Sequence, residues 1–111
     1  MAEALILGEF EQLVLLAVLR LEANANGAAI ARELEEQAGR RVSRGALYTT
    51  LDRLEVKGLL RWKLAVGGAE RNTLPRRAYT VTARGMGALR NSHRTLQKMW
   101  RGLEHLLKEL P

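Results

Sequence analysis

The chain has 111 residues, 47% of them apolar, which is enough for one modest hydrophobic core and points to a single folding unit. Cysteine is absent, which excludes a disulfide framework, thiolate metal sites and a thiol nucleophile. The formal charge of +6 is unevenly placed: two Lys/Arg meet seven Glu in residues 1–39 (net −5), ten meet three acids in 40–77 (net +7), and six meet two in 78–111 (net +4).

Such segregation makes a one-sided positive field, the footprint of a polyanion partner. An ordinary solvated basic surface is the alternative. The apolar Leu5-Ile6-Leu7 is too short for a signal segment, and no run approaches the roughly 20 residues of a spanning helix. A cytoplasmic protein with no membrane partner is expected.

Glu9 to Leu21 reads as the first helix. Leu13 through Leu19 are apolar almost all the way round. A helix without a polar face is buried on more than one side, either within the core or between the core and a second subunit. Asn24-Ala25-Asn26-Gly27 is a turn, with Asn26 or Gly27 placed to cap the next helix. That helix runs from about Ala28 to Gln37, with Ile30, Ala31 and Leu34 inward and Arg32, Glu33, Glu35 and Glu36 outward. Gly39-Arg40-Arg41-Val42 leads to a third helix capped by Ser43, and the pair makes a helix-turn-helix.

The third helix buries Leu47, Leu51 and Leu54 and exposes Arg44, Tyr48, Thr49 and Arg53. Polar groups near the N-terminus of such a helix are the ones that enter a major groove. Arg44 can donate to a guanine edge or a phosphate, Thr49 can meet a base edge or a thymine methyl, and Tyr48 can reach a phosphate. Gly45 lets the backbone approach DNA closely. Tyr48 is also suited to packing on the hairpin that follows, and Arg53 to a surface pair with a carboxylate. Lys57-Gly58 ends the helix, a cation in the last turn before a glycine free to turn left-handed.

Leu60, Trp62, Leu64 and Val66 then alternate with Arg61, Lys63 and Ala65, the pattern of a half-buried strand with Trp62 in the core. Gly67-Gly68 opens a loop to Pro75, and Arg77 to Thr82 is the returning strand. Arg71, Arg76 and Arg77 suit a wing that touches the adjacent minor groove or backbone, although loop solubility asks for the same residue type.

Thr82 can cap a last helix predicted to run to about Leu110, about 28 residues or 42 Å. Leu89, Leu96, Leu103 and Leu110 are spaced by seven, Met99 and Leu106 lie between them, and Met86, Trp100 and Leu107 widen the stripe. This is a coiled-coil-like seam on a helix too long for the domain, and it predicts a homodimer. Trp100 can pack within that seam or stack a flat aromatic effector. Catalysis has little to stand on. His93 and His105 are about 18 Å apart along one helix and cannot share a metal, and no enzyme activity, metal or cofactor is expected.

At these residues the chain resembles the PadR family of bacterial winged-helix transcription regulators. The match is Val42-Ser43 to Gly45, Leu47-Tyr48, Leu51, Arg53-Leu54-Glu55 and Lys57-Gly58-Leu59, then Pro75-Arg76-Arg77, Tyr79, Thr82 and Gly85. Leu13 to Leu19 and Gly27 are compatible with the family's first two helices, so the likeness spans about residues 7–87. Asn26 stands where the family often has an aromatic, and Leu74 where its wing often has an arginine.

The resemblance implies a dimer that represses transcription from a palindromic operator and is released by a small ligand or signal. It implies DNA contacts from Ser43, Arg44, Gly45, Tyr48, Thr49, Arg53, Arg71, Arg76 and Arg77. It also implies a dimer interface of Leu13 and Ala17 with Leu89, Leu96, Met99, Trp100, Leu103, Leu106, Leu107 and Leu110. The expected fold is mainly α with a small β-hairpin: a winged helix-turn-helix over residues 1–82 and a long C-terminal dimerisation helix over 83–111. The partner expected is double-stranded operator DNA. The other use of such a fold is a protein-interaction module that reads no DNA.

Overall fold

The computed structural model describes residues 6–65 and 75–109. Helix α1 spans Glu9–Leu21, a 3-10 turn follows at Glu22–Asn24, α2 spans Gly27–Ala38 and α3 spans Arg44–Val56. Strands β1 (Leu60–Ala65) and β2 (Arg76–Val81) form an antiparallel hairpin, and α4 (Ala83–Trp100) leads to a 3-10 segment at Glu104–Glu109. Three helices, a two-stranded wing and a final helix make a winged helix.

The helix starts follow their caps. The side chains of Asn26, Ser43 and Thr82 accept from the N–H groups of Ala29, Ala46 and Gly85 at 2.9, 3.1 and 3.0 Å. Each satisfies an N–H that has no partner within its helix, a contribution of about 1 kcal/mol. Gly58 closes α3 in the left-handed conformation (φ 78°), so the chain turns directly into β1.

The core is a meeting of one face from each helix with the base of the hairpin. Val14, Leu15, Ala17 and Val18 of α1 pack with Ile30 and Leu34 of α2, Leu47, Leu51 and Leu54 of α3, Leu59 and Leu60, and Tyr79 of β2. The Tyr79 N–H donates to the Ala25 carbonyl at 2.9 Å, which sews the wing to the turn before α2. Thr82 also donates its hydroxyl to the Gly58 carbonyl at 2.6 Å, tying the exit of the hairpin to its entrance.

Within the chain α1 is buried on one face only, and Leu16 and Leu19 remain exposed on the other, so the core alone does not cover this helix. Three expectations change. Leu60 is buried and Trp62 half-buried, but Leu64 is 62% exposed, because β1 leaves the core along its length. β2 begins at Arg76, one residue before its expected start.

The last helix stops at Trp100, well short of Leu110. Arg101 takes an extended ψ of 124° and Gly102 a left-handed φ of 85°, which breaks the hydrogen-bond ladder. Only Gly85, Ala88 and Leu89 of α4 are buried, and its second half extends away from the core. Val66, Leu74 and Leu110 lie outside the described residues.

Candidate nucleic-acid interface

α3 is held by three leucines and Thr50 on its inner side, which leaves its other side to solvent. Arg44, Gly45, Thr49 and Arg53 are all exposed there, as their spacing predicts. A Cβ on Gly45 would meet nothing within 4 Å, so packing within the chain does not require glycine at this point. Ser43 is exposed, but its oxygen is engaged in capping α3.

Tyr48 is half-buried and leans on α2. A Cβ on Gly27 would collide with its hydroxyl, so the absent side chain at Gly27 makes the seat for Tyr48. The tyrosine therefore packs against α2 and presents only part of its ring outward. Only the three-dimensional packing reveals this pairing, since residues 27 and 48 carry no common sequence signal.

The basic segment is less positive than its count suggests. Arg40 pairs with Glu9, Arg41 with Glu35 at 3.3 Å, Lys57 with Glu11 at 2.8 Å and Arg77 with Asp52 at 3.5 Å. Three of those acids come from the acidic N-terminal third, which folds back on the helix connection and the end of α3. Burial would raise the Glu11 carboxyl, but hydrogen bonds from Lys57 and the Gly8 N–H outweigh it and hold the group below its ordinary value.

Arg44, Arg53, Arg61, Lys63 and Arg76 have no carboxylate within ion-pair distance among the described residues. These free cations lie on α3 and the hairpin. The register puts Arg61 opposite Thr80, Lys63 opposite Ala78 and Ala65 opposite Arg76, so the three hairpin cations share its outer face. Arg61 and Lys63 were not singled out from the sequence, although the alternation that places Leu60 and Trp62 inward sends them outward. Arg71 lies outside the described residues.

The inner face of the hairpin is differently built. Tyr79 is buried, Trp62 lies directly opposite it, and the Arg77 guanidinium sits 4.2 Å from the Trp62 ring centroid. Burial pushes the Tyr79 hydroxyl above its ordinary value, partly offset by the neighbouring Arg77 cation. Arg77 is therefore occupied, whereas Arg76 beside it has no such partner among the described residues.

A second exposed surface is apolar. Leu96, Met99 and Trp100 of α4 and Leu103, Leu106 and Leu107 beyond it are open to solvent, Met99 to 72%. Ala17 and Leu89 do not belong to this surface. Both are buried in the protomer's own core at 3% and 8% exposure, because α1 and the first turns of α4 pack there. Leu13 is half-buried against the same core, and the α1 residues that remain open are Leu16 and Leu19. No helix among the described residues is long and apolar enough to cross a membrane.

The sequence matches the transcriptional regulator PadR-like family over residues 15–91. Among solved structures, it is similar to a PadR family transcriptional regulator from Eggerthella lenta (30% identity, TM-score 0.63, 89% of this chain and 86% of that one). A PadR-like regulator from Bacillus cereus has the same fold at 20% identity (TM-score 0.70, covering 88% and 90%). Bacillus subtilis PadR, solved in complex with operator DNA, shares it at 19% identity (TM-score 0.59, covering 75% and 45%). No curated protein matches the sequence.

Proposed function

The chain belongs to the PadR-like family of transcriptional regulators, and from that premise we propose that it binds double-stranded operator DNA as a homodimer. The observation that carries this reading is the set of cations on α3 and the adjoining hairpin that have no ion-pair partner among the described residues, beside a helix N-terminus whose outward side is free of packing duties. α3 serves as the recognition helix. Arg44 and Thr49 read base edges, Arg53 and the wing cations contact phosphate, and Gly45 admits the groove wall. A helix-turn-helix protein reads two half-sites when a two-fold axis relates its copies.

The apolar surface from Leu96 to Leu107 supplies that second copy. Burying one leucine contributes about 1.5–3 kcal/mol, so several together support a stable interface. Regulation then follows by occupancy: a dimer lying across an operator excludes other proteins from that stretch, which is repression. The exposed Trp100 indole is where a planar aromatic effector would stack to disturb the pair.

Fluorescence anisotropy with labelled duplex DNA tests the proposal. Each phosphate neutralised contributes about −0.9 to the slope of log K against log salt. Tight binding at low salt with a slope of about −4 or steeper is expected. Binding that is absent, or indifferent to salt, would show that the positive surface has another use.

A further inference from the structure

We propose that Arg77 is a positioning residue, which holds the hairpin against the recognition helix and cancels the charge of Asp52 instead of binding phosphate. The inference rests on the DNA-binding reading above and assigns separate tasks to two neighbouring arginines. The strand period sends Arg76 and Arg77 to opposite faces. Arg77 lies opposite Leu64 and emerges on the inner face with Trp62 and Tyr79, while Arg76 joins Lys63 and Arg61 on the outer face.

Arg77 has a partner on each of two other elements. Its guanidinium stacks 4.2 Å from the Trp62 ring centroid and reaches Asp52 Oδ1 at 3.5 Å. A planar cation can satisfy an indole face and a carboxylate together, which an ammonium point charge does poorly. Trp62 belongs to β1 and Asp52 to α3, so the one side chain bridges wing and helix.

Asp52 gives the bridge its consequence for DNA. It follows Arg44 and Tyr48 at steps of four along α3, and its side chain is 61% exposed. A carboxylate on that surface repels a phosphate backbone. The Arg77 charge offsets it locally, so this cation is already committed inside the protein. Arg76 has no such acid among the described residues and remains available.

The test compares wild type with Arg76→Gln, Arg77→Gln, Asp52→Asn and the double variant Asp52→Asn/Arg77→Gln. Each is titrated onto a mixed-sequence duplex of about 30 base pairs, room for two half-sites a turn apart, at several salt concentrations. Arg76→Gln should reduce the steepness of the salt slope by about one unit. Arg77→Gln should weaken binding about fivefold at fixed salt with little change in slope, and adding Asp52→Asn should restore most of the loss.

Trp62 emission, followed with Trp100→Phe in the background, should shift in Arg77→Gln without DNA. A loss of about one slope unit in Arg77→Gln that Asp52→Asn does not restore makes Arg77 a phosphate ligand and overturns the inference. Unchanged affinity in Arg77→Gln overturns it as well. Wild-type protein that shows no salt-dependent binding removes the DNA-binding reading itself, an outcome distinct from either.

Discussion

Arg44 and Gly45 are neighbours at the start of α3, yet substitution there should separate binding from stability in two ways. Arg44 is exposed and unpaired among the described residues. Arg44→Ala should leave unfolding unchanged, cost about 1–3 kcal/mol of specific binding and relax preference at one operator position. Equal loss on every sequence would make it a phosphate contact. Gly45→Ala should act oppositely on the two readouts. With open space around it, a methyl group stabilises the helix by about 0.4–1 kcal/mol, while crowding an approaching groove wall. Urea unfolding and DNA titration on the same variant check this, and unchanged affinity would place Gly45 away from DNA. At this scale the sequence displayed the exposure of Arg44, Thr49 and Arg53, because helical spacing governs it, but not the half-burial of Tyr48 against α2. It did not display pairing. Arg40 with Glu9 and Lys57 with Glu11 join residues 31 and 46 apart in the chain, and Arg77 with Asp52 depends on how the hairpin lies on α3.

Between elements, the clasp from Lys57 to Glu11 ties the end of α3 to α1. Its pH dependence has a definite sign. The folded carboxyl titrates below its ordinary value of 4.5. The clasp therefore contributes stability above that value and loses it as pH falls through the lowered one. Glu11→Gln should destabilise by about 1 kcal/mol at neutral pH, with the difference from wild type narrowing as the solution is acidified below 4.5. A deficit that stays constant down to strongly acid pH would mean that Glu11 acts by packing alone. The elements themselves were legible through caps and periodicity: Asn26, Ser43 and Thr82 all cap as read. The extent of the last helix was not. Spacing by seven marks apolar residues on both sides of Gly102, but it carries no information about backbone conformation, and the glycine ends the helix despite it.

For the whole molecule, the exposed surface from Leu96 to Leu107 and the two-fold demands of operator reading lead to the same expectation. Glu at both Leu96 and Leu103 should give monomers or aggregates in sedimentation equilibrium, and tight DNA binding should be lost with the dimer. A double variant that remains dimeric would move the interface elsewhere, with Leu16 and Leu19 of α1 the next exposed apolar residues to vary. Operator reading by a dimer requires that two copies of α3 engage one piece of duplex DNA. Selection of bound fragments from a pool of random duplexes, followed by sequencing, tests that requirement directly. Wild-type protein should enrich a two-fold symmetric element with half-sites about one helical turn apart, and Arg44→Ala should relax the same position in both halves. Recovery of the pool without sequence enrichment, or of a single asymmetric site, would contradict it.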